Sequence, residues 1–222
     1  MKVRTQSRRG LSLLEVFFAL AIVAVLAAVL LPTVTANRND RGPRISCTSN
    51  LKQVGLAFRL WSNDHNDQYP FSVSVVSNGT IELTNSPQVF RHFQALSNEL
   101  VTPKVLVCPV DSKKQRATDF LQNSSGTSFN NNSQLSYFVG FEANENAPQT
   151  ILSGDRNITG GNLYNGFLRL LTPGKDAGWT SEIHNNAGNI GLGDGSVQQM
   201  SSVSLTKQLA IQTNVAIRLA IP

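Results

Sequence analysis

Arg8-Arg9-Gly10-Leu11-Ser12-Leu13-Leu14-Glu15-Val16 and the apolar run that follows it to Leu31 decide how the chain reads. Ahead of Gly10 stand Lys2, Arg4, Arg8 and Arg9, with no acidic residue among them. The 21 residues from 11 to 31 contain only two polar members, Ser12 and Glu15. At about 1.5 Å per helical residue, that length matches a hydrocarbon core of roughly 30 Å. The spacing therefore predicts a membrane-spanning helix, with its basic flank on the cytoplasmic side. Glu15 is the odd feature, because an ionisable group in such a segment is costly and usually functional.

A short basic leader, a glycine, an apolar residue, serine, two apolar residues and glutamate resemble the prepilin-type processing site of type IV pilins and type II secretion pseudopilins. The resemblance implies cleavage by prepilin peptidase between Gly10 and Leu11, and methylation of the new terminus at Leu11. It implies that Glu15 neutralises the terminal amine of a neighbouring subunit and sets assembly register. Pro32 corresponds to the helix-kinking proline of that family. Leu11 departs from the usual Phe at the first mature position. Two other readings compete: a secretory signal ending near Val34-Thr35-Ala36, and a plain N-terminal anchor. Neither explains Glu15.

The formal charge of the chain is +5, and the leader supplies four of those charges. The remainder is nearly neutral and shows no basic patch interleaved with aromatics, so no nucleic acid partner is expected. Charged residues make up 15% of the 222-residue chain, sparse for a soluble protein. Cys47 and Cys108 are the two cysteines. A disulfide between them would be permitted outside the cytoplasm and would contribute about 4 kcal/mol on the chain-entropy model. Two separate buried thiols remain the other reading, and two cysteines alone do not make a zinc site.

Residues 33–44 lack apolar periodicity, and Gly42-Pro43 predicts a break in the helix. Cys47, Leu51, Val54, Phe58 and Trp61 then form one apolar stripe at helical spacing. Asn63 to Asp67 ends the helix with turn formers. The stretch Arg44-Ile45-Ser46-Cys47-Thr48-Ser49-Asn50-Leu51-Lys52-Gln53-Val54-Gly55 is similar to the shared region of the H-X9-DG family of bacterial pilin-like proteins. The motif that gives the family its label is His184, nine residues, then Asp194-Gly195. Cys108-Pro109-Val110-Asp111 and Leu152-Ser153-Gly154-Asp155-Arg156-Asn157 are further similar pieces. The polar run Asn37 to Pro43 departs from that pattern.

From Tyr69 onward the sequence reads as strands and loops. Phe71 to Val76, Asn78-Gly79 and Ile81 to Thr84 predict a hairpin. Val89, Phe93, Leu96 and Leu100 have helical spacing. Val105 to Val107 and Ser136 to Phe141 read as short strands, and 122–134 as a polar surface loop. Ile190 to Met200 predicts a hairpin closed by Asp194-Gly195 in a type I′ turn. The fold class expected is α+β and pilin-like: a long N-terminal helix, transmembrane in its first half, packed on an antiparallel sheet. Its expected divisions are a leader at 1–10, an assembly helix at 11–34, a helical continuation at 35–68 and a globular head at 69–222.

Catalytic chemistry finds little support. His184, Asp155 and Asp194 can be imagined as a hydrolytic set, but Ser153 and Ser196 lie outside a Gly-x-Ser-x-Gly elbow, and no phosphate loop is present. The chain is therefore not expected to be an enzyme. Asp111, Asp155 and Asp194, in Gly- and Asn-containing loops, are candidates for calcium, without the spacing of a dedicated loop. The function expected is that of a pilin-like filament subunit of a type II secretion or type IV pilus-like system. Its expected partners are prepilin peptidase, other pilin or pseudopilin subunits and inner-membrane lipid. Its expected location is the inner membrane, crossed once, with the head periplasmic. A tethered extracytoplasmic binding module that never polymerises, using loops 122–134 and 155–165, is the alternative.

Overall fold

The structure is a computed structural model that describes residues 13–35, 38–121, 126–175, 177–212 and 216–222, with the side chains of 29–41 set aside. Two compact units divide the chain, residues 1–42 and 43–222. Helix α1, Leu13–Thr35, belongs to the first. Helix α2, Arg38–Asn63, contains both the unit boundary and Pro43.

Among the described residues no helix is long and apolar enough to cross a membrane. This corrects the expected transmembrane half of the N-terminal helix. The expected single-pass inner-membrane location and the membrane-anchored secretion pseudopilin fall with it. Glu15 places an ionisable carboxylate in the first turn of α1, where a bilayer would penalise it.

The second unit is built on a seven-stranded antiparallel sheet. Its strands are β1 (Tyr137–Gly140), β2 (Ile151–Asp155), β4 (Asn162–Tyr164), β5 (Leu168–Leu171), β7 (Ala187–Leu192), β8 (Val197–Ser201) and β9 (Ile217–Ala220). Their order across the sheet is β4-β5-β9-β1-β2-β7-β8. Among the described residues two further strands, β3 (Ile158–Gly160) and β6 (Ala177–Trp179), pair with each other.

Strand alternation gives this sheet two covered faces. Tyr137, Val139 and Leu152 enter one core with Leu51, Val54 and Phe58 of α2. Phe138, Ile151 and Ile190 enter a second core with Trp179 and with Leu205 and Leu209 of the C-terminal helix Ser202–Ile211. Strands β1 and β2 are consequently buried along their whole length.

Several local expectations are corrected. Residues 71–84 form no hairpin but three 3-10 turns, Pro70–Ser72, Val75–Ser77 and Ile81–Leu83. Side-chain bonds from the turn formers displace the ladder here: Ser74 caps Val76, and Glu82 accepts from Ser74 Oγ and Val75 N. The expected helix after Pro87 is split into Phe90–Gln94 and Ser97–Leu100. Instead of a strand at 105–107 there is a 3-10 turn, Pro103–Leu106, opened by a proline that has no N–H to give a ladder.

The β7–β8 hairpin is present with Gly191 opposite Val197, but its turn is not type I′. Gly195 N donates to Leu192 O and Leu192 N to Ser196 O, both at 2.9 Å. Gly195 takes φ +80°, while Asp194 is absent from the positive-φ residues. This is a three-residue loop: a type I turn followed by a left-handed glycine.

Candidate functional site

Cys47 in α2 and Cys108 in the loop after Pro103–Leu106 are joined by a disulfide, with Cα atoms 5.0 Å apart. Against it lies His184, whose Nε2 is 3.5 Å from Cys108 Sγ. The same nitrogen is 3.2 Å from Asn189 Nδ2 and 3.5 Å from Asp155 Oδ2, with both side chains of that last pair fully buried. Asn189 donates to Asp155 Oδ2 from its backbone N–H at 2.7 Å and from its side chain at 2.9 Å. Thr48 Oγ1 donates to Asn189 Oδ1, and Arg44 Nη2 donates to the backbone oxygen of His184, each at 3.1 Å. Three elements of unit two thus meet at one buried point: α2, the 108 loop and the β2–β7 pair.

Burial, and then the nearby Arg44 cation, lowers His184 to about 4. Burial likewise pushes Asp155 up to about 7, against the hydrogen bonds from Asn189. The imidazole is therefore neutral near pH 7. His184, Asn185 and Asn186 all carry positive φ, at 58°, 52° and 59°. Asn takes this left-handed region more readily than other non-glycine residues, which suits the turn to Asn185 and Asn186. The left-handed turn holds His184 against the disulfide.

The other half of the motif grips α2 at Arg59, about three turns beyond Thr48. Arg59 Nη1 donates to Asp194 O at 3.1 Å while its Nε pairs with Glu145 at 2.9 Å. Tyr69 Oη donates to Gly193 O at 2.6 Å. The nine-residue spacing between His184 and Asp194 is the length of strand β7 with its approach and turn. It carries two clamps to two stretches of the same helix.

No family model, curated protein or solved structure matches the chain. Function must therefore be argued from these residues and from the N-terminal helix.

Gly10 and Leu11, the expected processing residues, lie outside the described residues. Glu15 is exposed in the first turn of α1, and Pro32 falls inside that helix. The calcium candidates are not gathered into one ligand cluster among the described residues. Asp111 faces Arg156 through two bonds of 2.7 Å and accepts from Ser136 Oγ at 2.9 Å. Burial raises its pKa, but Arg156 and Ser136 outweigh that and hold it below the ordinary carboxylate range. A carboxylate spent on a guanidinium has little left for a cation. Asp194 takes the backbone N–H of Ser196 at 2.8 Å within its own turn.

The cluster of possible metal ligands among the described residues is Cys47, Cys108 and His184, within 4.8 Å of one another. In the disulfide the sulfurs are bonded to each other, which leaves no thiolate to bind an ion. Sequence reading missed Arg44, Thr48, Asn189 and Arg59 as members of the clamps, and Arg156 as the partner of Asp111. No periodicity marks them; Arg156, next to Asp155 in a strand end, offered the only local hint.

Proposed function

We propose that the chain is a pilin-like subunit that is cut between Gly10 and Leu11 and assembles with copies of itself through α1. The observation carrying this reading is the apolar surface of α1. Leu13 is 91% exposed and Phe17 72%. Phe18, Leu20 and Val23 are exposed as well, and at 100° per residue Phe17, Phe18, Leu20 and Val23 point to all sides of the helix. A helix that is apolar all round is a buried helix. Neighbouring helices of the same sequence supply that cover in a bundle, without any membrane-length requirement.

The resemblance of Arg8 to Val16 to a prepilin processing site supports the same reading. In it, the Glu15 carboxylate meets the methylated amine of Leu11 in an adjacent copy and sets the axial register. The role is mechanical rather than catalytic, and the braced head is what the filament displays.

Mass spectrometry of the isolated protein tests the processing step. A terminus at N-methyl-Leu11 supports it, and a chain beginning at Met1 or just after Ala36 removes it. Cysteines placed at Phe17 and Leu20 test the assembly step, through oxidative ladders of dimers, trimers and higher species. A chain that stays monomeric under oxidation sinks the filament reading.

A further inference from the structure

We propose that the Cys47–Cys108–His184 cluster becomes a binding site for a thiophilic divalent cation, Zn²⁺ by preference, once the disulfide is reduced. The inference is independent of assembly. Two thiolates and a neutral imidazole nitrogen are the donor set that zinc takes in tetrahedral sites, and three such atoms already lie within 4.8 Å of one another. His184 Nε2 stands 3.5 Å from Cys108 Sγ.

A second observation points to an ion. Asp155 is completely buried, its Oδ2 is 3.5 Å from that same imidazole nitrogen, and its Oδ1 has no hydrogen-bond partner among the described residues. A buried carboxylate with an unused oxygen is costly unless something compensates it. Hydrogen-bonded to a water on the ion, it gains that compensation. Charge also balances: two thiolates and one carboxylate offset a divalent ion together with Arg44.

The step balances with a dithiol as reductant. The dithiol gives two electrons and two protons, the S–S bond breaks to two thiols, and the reductant leaves as its own disulfide. The ion then displaces the two thiol protons to solvent as two metal–sulfur bonds form. Bonds of about 2.3 Å seat the sulfurs roughly 3.8 Å apart, so both cysteine side chains turn away from each other. A surface cleft of about 260 Å³ is lined by Arg44, Ile45, Thr48, Ser49, Lys52 and Gln199. Thr48 and Arg44 are the residues that touch Asn189 and His184.

The test uses the full chain, reduced with a dithiol that is then removed under anaerobic conditions, and titrated with Co²⁺ as a spectroscopic probe. Thiolate-to-cobalt charge transfer in the near ultraviolet and tetrahedral bands in the visible are expected. They should saturate at one equivalent, vanish on adding Zn²⁺, and be missing from the oxidised protein. His184→Gln should weaken binding at least about tenfold and change the visible bands. Absence of the bands overturns the proposal. So does a His184→Gln protein with the same affinity and spectrum. A reduced chain that circular dichroism shows unfolded, and that Co²⁺ does not refold, also counts against it.

Discussion

Gly55 of α2 and Gly195 of the β7–β8 turn meet backbone to backbone: a Cβ on Gly55 would lie 3.3 Å from both Cα and O of Gly195. Helix and sheet touch there with no side chain between them. That closeness lets Arg59, one turn along, reach the carbonyl of Asp194. A Gly55→Val substitution forces the two apart and should cost about 1–3 kcal/mol by overpacking. Urea unfolding should show the midpoint falling at unchanged slope; an unaltered midpoint would mean the approach is not tight. Gly195→Ala pays a left-handed penalty in addition, since its φ is +80°.

Replacing both cysteines, as Cys47→Ser with Cys108→Ser, should remove on the order of 4 kcal/mol, because the closed loop is long. The loss is read by chemical denaturation of the oxidised parent against the variant. A difference under about 1 kcal/mol would place the bracing of α2 in the His184 and Arg59 contacts instead.

Asp111 and Arg156 are a bidentate pair with the carboxylate almost fully buried. Asp111→Asn leaves the guanidinium facing a neutral amide and should destabilise by roughly 3–5 kcal/mol. Glu182, also 2.9 Å from Arg156, is exposed and should matter much less. Parallel thermal melts of Asp111→Asn and Glu182→Gln check that ordering.

Stability should fall in mild acid. Burial lowers His92 to about 4, whereas a free histidine titrates near 6.5. Between those values the unfolded chain binds a proton that the folded chain does not. The contribution is therefore complete above pH 6.5 and is lost as pH drops toward and through 4. His92 should account for on the order of 3 kcal/mol across that window. Its Nδ1 meets Thr80 Oγ1 at 2.7 Å, so His92→Asn keeps a partner for Thr80 while removing the titration. Unfolding free energies at pH 7 and pH 4.5 should differ less in that variant than in the parent.

At the N-terminus, Gly10→Val should leave an uncut precursor. Glu15→Ala should be cut normally and yet form no ladder in the oxidative crosslinking. A variant that is cut and also polymerises would detach Glu15 from register.

The amphipathic stripe Cys47, Leu51, Val54, Phe58 and Trp61 was legible in the sequence because a helix needs only local spacing to show which face is buried. The β7–β8 hairpin was legible for the same reason, although its turn type depended on the φ of a single residue, Asp194. Alternation at 71–76 misled, because Ser74 and Glu82 hold the backbone in 3-10 turns through bonds that a pattern of apolar residues does not register.

By itself the sequence determined that a basic segment precedes an apolar helix carrying one acid, and that an amphipathic helix packs on a chain of strands. Those are matters of composition and period, written residue by residue along the chain. Only the tertiary structure decided that Cys47 bonds Cys108, that His184 and Asp155 close over that bond, and that Asp194-Gly195 clamps α2. Those contacts join residues 61 to 140 positions apart, and which distant groups meet is fixed by how sheet and helix pack.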